Sequence, residues 1–131
     1  MRLPRVYICA PYTADSIPEE KANERTAQDA AIEVAKHDLM PRCPHTMLGL
    51  LTPTQMEYHD QVDIGREHIM RECYDCLNTC DAIYLVDGWK NSRGCRKEFR
   101  LAYQLDLIIL DGEDALKAYA DKFRPRGGSD G

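Results

Sequence analysis

Apolar residues fall along this chain in short runs that alternate with longer amphipathic stretches. Arg5 to Ala10 is a β-prone run, Arg-Val-Tyr-Ile-Cys-Ala, stopped by Pro11, and predicts a strand. From Pro18 to Asp38, Ala22, Ala27, Ala30, Ala31, Val34 and Ala35 form a small-residue face among charges, the pattern of a helix. Met40 to His45 reads as extended, because Pro41 and Pro44 each disfavour helix in the residue before them. Residues 46–60 have no clean period, contain Gly49 and Pro53, and suggest a mobile loop or lid. A second helix from about Asp63 to Asn78 sets Ile64, Ile69, Cys73, Cys76 and Leu77 at near-helical spacing.

Asp81 to Val86 is nearly continuous in its apolar character, which fits a parallel strand covered on both faces. Asp87 to Gly94 reads as a loop, Cys95 to Gln104 as a helix, Leu107 to Leu110 as another buried strand, and Glu113 to Phe123 as a last helix. The polar, Gly-rich residues 124–131 predict a flexible tail. Strands alternating with helices imply a three-layer α/β sandwich around a parallel, flavodoxin- or Rossmann-like sheet, with ligands at the carboxyl ends of the strands. The residues after Ile8, after His45 and after Val86 converge there. Neither an internal repeat nor a linker interrupts residues 1–123, which read as a single domain.

Composition narrows the function more than the fold. A chain of 131 residues holds one modest core and gains from association, so a homodimer or larger homo-oligomer is expected. The net charge of −5 argues against long nucleic acid held through many phosphates, yet leaves room for one small anion. No run of about 18 apolar residues spans a membrane, and polar residues arrive by Thr13, too early for a secretory signal; a cytoplasmic protein is expected. In that setting the six cysteines stay reduced. Cys73, Cys76 and Cys80 fall at i, i+3 and i+7, with His68 about a turn earlier, which raises a metal site. Zinc prefers looped knuckles to one uninterrupted helix, and Leu77 turns this face inward, so buried thiols are the favoured reading and neither metal nor cofactor is expected.

The segment from Asp87 to Glu98 carries the most chemistry. Gly88 and Gly94 flank Asn91-Ser92-Arg93 immediately before a helix, where free backbone N–H groups attract anions. Ser92 has two readings, a helix cap or a ligand to an oxygen of a bound molecule. Glu98, about one turn into the helix, is either solvated, or paired with Arg93 or Lys97 at helical spacing, or a working carboxylate at the strand ends. Tyr7 is by itself an ordinary strand aromatic. Trp89 either stacks on a base or covers the end of a strand, and His45 stands at a predicted strand end.

Three blocks occur in order: Val6 to Thr13 (Val-Tyr-Ile-Cys-Ala-Pro-Tyr-Thr), Cys80-Asp81-Ala82-Ile83, and Gly88-Trp89-x-x-Ser92-x-Gly94-x-x-x-Glu98. Together they resemble the nucleoside 2-deoxyribosyltransferase-like superfamily, most closely its small, often phage-associated branch. The likeness runs from residue 5 to about 110, and its last block is the most specific. It implies that Glu98 is a nucleophile that attacks the anomeric carbon of a nucleoside or nucleotide and expels the base, with Tyr7 orienting it. A carboxylate suits that work because it stabilises an oxocarbenium-like transition state and forms a glycosyl ester that can be broken again. Water as acceptor gives hydrolysis, and a second base gives transfer.

The resemblance also bears on substrate. Transferases of that superfamily that act on free nucleosides include some with aspartate at the position of Ser92, whereas the nucleotide N-glycosidases have a serine that contacts the 5′-phosphate. With Ser92, the neighbouring Arg93 and the amides around Gly94, a (deoxy)nucleoside 5′-monophosphate is expected. Pro11, Asp87, Trp89 and His45 join these as candidate substrate contacts. One departure stands out: the transferases carry an aspartate eight residues before the position of Asp81, and here that residue is Cys73. A thiol replaces a carboxylic acid poorly, which keeps a second expectation open, a non-catalytic nucleotide-binding or sensing module.

Overall fold

Successive side chains of a strand point to opposite faces of its sheet, and the first strand shows what that alternation does here. In the computed structural model, which describes residues 3–11, 16–42 and 66–123, β1 spans Arg5–Cys9. Val6 and Ile8 enter one layer of core and Tyr7 and Cys9 the other, and all four are fully buried. Helix α1 (Ile17–Lys36) follows, then β2 (Met40–Arg42), α2 (Arg66–Asn78) and β3 (Ala82–Leu85). A short 3-10 turn (Trp89–Asn91) leads into α3 (Arg93–Gln104), β4 (Ile108–Asp111) and α4 (Glu113–Asp121).

The four strands pair in the order β2-β1-β3-β4, and every pairing is parallel. The protein is therefore an α/β sandwich with the flavodoxin-like strand order, and the order reverses between β1 and β3, where such sheets open a crevice. Helices α1 and α4 cover one face, through Ala27, Val34, Leu116, Tyr119 and Ala120. Helices α2 and α3 cover the other, through Cys73, Cys76, Leu77, Cys95 and Ala102. No helix among the described residues is long and apolar enough to cross a membrane.

Local chemistry sets the element boundaries. Ser16 caps α1 by accepting from the Glu19 amide at 3.3 Å, with proline in the first helical turn. Two of the three helix-to-strand turns among the described residues, those into β2 and β4, share one device. Asp38 and Asp106 adopt the left-handed conformation at φ 59°. The amides of the leucines that follow reach back five residues, Leu39 to the Val34 carbonyl at 3.3 Å and Leu107 to the Ala102 carbonyl at 3.0 Å. These are Schellman closures with aspartate in the place glycine usually takes. Asp81 ties β3 to β1 at the same edge of the sheet, its carboxylate accepting from the Arg5 amide at 2.8 Å.

Three sequence expectations shift. Within the alanine face of α1, Ala27, Ala30, Ala31 and Val34 pack inward while Ala22 and Ala35 are exposed. A stripe at i, i+3, i+4 and i+7 is as wide as one neighbouring strand layer requires. Helix α3 begins at Arg93, two residues earlier than its apolar pattern suggests, because Ser92 is its cap. Strand β4 is not a buried strand: it is the edge of the sheet among the described elements, and Ile108 is 46% exposed. His45, the loop at 46–60 and the tail at 124–131 lie outside the described residues.

Leu116 is fully buried in the layer opposite Tyr7. Leu116→Ala should cost about 2–5 kcal/mol of stability through lost burial and the cavity left behind. A urea unfolding midpoint indistinguishable from wild type would show that this layer does not hold the fold.

Candidate active site

Glu98 is the one buried charged residue among those described, 6% exposed in a layer otherwise made of apolar groups and thiols. Its position follows from helical phase. The Ser92 hydroxyl accepts from the Cys95 amide at 3.3 Å and starts α3. The inward face then carries Cys95, Glu98 and Ala102, at i, i+3 and i+7. The loop before the helix turns at Gly88, whose φ of +91° only glycine takes without strain. Arg96 pins the same loop through its Nη1, 2.7 Å from the Lys90 carbonyl.

The layer that receives Glu98 is supplied by β1. The Tyr7 hydroxyl donates to Glu98 Oε2. From two residues along the same face, Cys9 Sγ lies 3.6 Å from Glu98 Oε1 and 3.6 Å from the Cys95 carbonyl. Cys73 of α2 stands beside both the Tyr7 hydroxyl and the Glu98 carboxylate. Arg93 and Lys97 point to solvent, so the surface-paired reading of Glu98 does not hold.

The electrostatics follow from burial. Loss of hydration raises the Glu98 pKa from its usual 4.5 to about 7, against the opposing help of hydrogen bonds from Tyr7, Cys9 and Cys73. No basic side chain among the described residues offsets that cost. Burial and the adjacent Glu98 charge hold the Tyr7 phenol well above its ordinary range, so it stays a hydrogen-bond donor. Burial, then the charge of Glu98, pushes the Cys73 thiol up to about 12. Near neutral pH the cluster is therefore a carboxyl group poised between its two forms, surrounded by neutral donors.

The other sequence-predicted residues distribute around this centre. Ser92 spends an acceptor lone pair on the cap, and its side chain also hydrogen-bonds the Cys95 thiol. Arg93 and Asp87 are exposed, and Pro11 is half-buried directly after β1. Gly94 has open room, with the nearest contact of an added Cβ at 4.0 Å, from Ser92 Oγ. Trp89 is half-buried and packs on Phe99 with ring centroids 4.9 Å apart, so one of its faces covers the core. Asp87, Gly88 and Trp89 also line a cavity of about 830 Å³ at the carboxyl ends of β3 and β4, together with residues of α1 and the start of α4. Glu98, Tyr7 and Ser92 do not line it. Its walls carry Asp29, Glu33, Asp87, Asp111 and Glu113 against a single Lys90, a lining that repels a phosphate.

Sequence reading passed over Cys9 and Cys95 as site residues. Both were within reach of periodicity, since Cys9 shares a strand face with Tyr7 and Cys95 a helix face with Glu98. The trio Cys73, Cys76 and Cys80 separates: Cys73 faces Glu98, whereas the Cys80 thiol donates to the Cys76 carbonyl at 3.3 Å.

The model of a family described as a domain of unknown function, DUF4406, matches residues 4–111. The chain belongs to the DUF4406 family. The match takes in β1 through β4, and so every element that builds the Glu98 cluster of this DUF4406 domain. Among curated proteins, none matches the chain.

A carboxyl group that titrates near 4.5 unfolded and near 7 folded makes the folded state hold a proton the unfolded state has lost. Stability contributed by the protonated form is therefore present at low pH and lost as pH rises through about 7. Glu98→Gln removes that loss. The variant should be close to wild type near pH 5 and gain up to roughly 3 kcal/mol on it near pH 8. A stability difference that does not change with pH would mean that Glu98 is not held in this way.

Proposed function

We propose that the protein cleaves the N-glycosidic bond of a (deoxy)nucleoside 5′-monophosphate, or transfers its base, with Glu98 as the nucleophile. One observation carries this reading: a carboxylate is buried against a tyrosine hydroxyl, with no cation among the described residues to offset its burial. A buried acid that costs stability and contributes no ion pair is what a reacting group looks like. Its place on α3, where the sheet order reverses between β1 and β3, fits a ligand site in this fold. The resemblance in the blocks around Tyr7, Asp81 and Glu98 supplies the reaction class.

In this reading the ionised Glu98 attacks the anomeric carbon as the bond to the base breaks, giving a glycosyl ester. Water or a second base then attacks the same carbon and releases the carboxylate. Tyr7 holds Oε2 in place, and Oε1, which faces the weak donor of the Cys9 thiol at 3.6 Å, is the oxygen that reacts. The Ser92 hydroxyl, by turning its proton away from the Cys95 thiol, and the amides at the start of α3 receive the 5′-phosphate. A dianion there would be drawn to the helix start and to the adjacent Arg93.

Cys73 favours a second reading, a nucleotide-binding module without turnover. Its neutral thiol, with a pKa near 12, is too weak an acid to protonate a departing base. The two readings separate in one assay, incubation with a panel of nucleosides and their 5′-monophosphates and chromatography of the free base.

An enzyme should release base from a monophosphate, with kcat/KM rising as pH increases toward about 7, where Glu98 ionises. Glu98→Gln should lose on the order of a thousandfold in rate or more, while the nucleotide still binds. Ser92→Ala should raise KM for the monophosphate and leave the nucleoside unaffected. Release of base by the Gln variant at nearly the wild-type rate would remove Glu98 from the mechanism. Binding of nucleotides with no base released would leave the binding module.

A further inference from the structure

Two thiols share the Glu98 site and have no part in the proposed reaction. Cys9 is fully buried and Cys95 is 1% exposed, and they approach Glu98 from different elements, β1 and α3. Cys9 is fixed by the sheet, and Cys95 and Glu98 stand one turn apart on the same helix face. One ligand atom from each, two sulfurs and a carboxylate oxygen, lie within 4.8 Å of one another. Among the described residues this is the group of metal-ligating side chains that closes to such distances.

The spacing matters as much as the residue types. Around a tetrahedral zinc ion, bonds of about 2.3 Å to sulfur and about 2.0–2.2 Å to oxygen place neighbouring ligand atoms roughly 3.5–4 Å apart. Cys9 Sγ and Glu98 Oε1 already stand 3.6 Å apart. The site also holds a buried carboxylate with no positive charge beside it among the described residues, which is the deficit a bound cation fills.

We propose that Cys9, Cys95 and Glu98 form a binding site for one thiophilic divalent ion such as zinc, and that the ion inhibits the protein by occupying Glu98. Binding breaks the two S–H bonds, and the O–H bond of Glu98 where it is protonated, sends these protons to solvent, and forms two metal–sulfur bonds and one metal–oxygen bond. No group is oxidised or reduced. A fourth position remains for water. Metal and anomeric carbon then compete for the same carboxylate, and the reduced thiols become the sensor. The inhibitory consequence rests on the proposed reaction, whereas the ion site itself does not.

The test is a titration of metal-free, reduced protein with Co²⁺, followed by absorption. Wild type should show thiolate-to-cobalt charge transfer and the visible bands of a tetrahedral ion, saturating at one ion per chain and displaced by Zn²⁺. Cys9→Ser and Cys95→Ser should each lose most of that signal, and Glu98→Gln should weaken binding by more than the roughly tenfold that even an outer-shell partner costs. Cys76→Ser, in the separate pair near the end of α2, should titrate like wild type. If Cys9→Ser fails to fold by circular dichroism, Cys95→Ser decides. Absence of a charge-transfer band, or an unchanged titration in Cys95→Ser, overturns the site.

Activity supplies an independent arm. Where wild type releases base, one equivalent of Zn²⁺ should stop it and a chelator should restore it. Base release without a cobalt band overturns the metal site and leaves the reaction standing. A cobalt band without base release upholds the site and overturns the reaction.

Discussion

The described structure is organised around the cost of burying one carboxylate with no counter-charge among the described residues. Glu98 lies in an apolar layer, and Tyr7, Cys9 and Cys73 offer it hydrogen bonds but no positive charge. Hydrogen bonds from neutral donors recover only part of a carboxylate's hydration, so the group is left near the midpoint of its titration at neutral pH. Several features farther away serve that arrangement. The alternation of β1 sends Tyr7 and Cys9 toward α3 while Val6 and Ile8 fill the opposite layer. The Ser92 cap sets where α3 starts, and with it the direction in which Glu98 points. The left-handed Gly88 allows the chain to leave β3 and enter α3 through one tight turn.

The two faces of the sheet have different chemistry. The layer under α1 and α4 is aliphatic and aromatic, and the acidic cavity lies at its edge. The layer under α2 and α3 gathers Tyr7, Glu98 and five cysteines. Thiols suit that layer in a particular way. They are small enough to pack like apolar groups, yet they present weak donors to a carboxylate and strong ligands to a soft ion. Replacing the expected aspartate by Cys73 keeps a second negative charge away from Glu98, and like-charge repulsion would otherwise push its pKa higher still. In the proposed reaction the same replacement removes the acid that would assist a leaving base, so one residue would both ease the burial of the proposed nucleophile and weaken the chemistry around it.

Much of this was legible in the sequence, for identifiable reasons. The runs at Val6–Ala10 and Ala82–Leu85 are too apolar and too short for anything but covered parallel strands, and the alternating helices then leave little freedom in the fold class. Glu98 stood out through its spacing from Ser92 and Gly94. Its neighbours were harder to see, because contact between β1 and α3 joins residues about ninety positions apart. Local pattern gives the face of an element but not which face it meets. The turns at Asp38 and Asp106 were missed because aspartate signals a left-handed cap far less strongly than glycine does. Ile108 looked buried because its neighbours are apolar, whereas its exposure depends on its place at the sheet edge, which no local pattern records.

The most direct test of Glu98 as a nucleophile is to trap its ester. A nucleoside 5′-monophosphate with fluorine at the sugar 2′ position slows departure from the covalent intermediate, because the fluorine destabilises positive charge at the anomeric carbon. Wild-type protein mixed with this compound, denatured, digested and weighed by mass spectrometry should carry one glycosyl phosphate on the peptide that contains Glu98. Release of the base with no adduct, or an adduct on any other residue, would contradict the account.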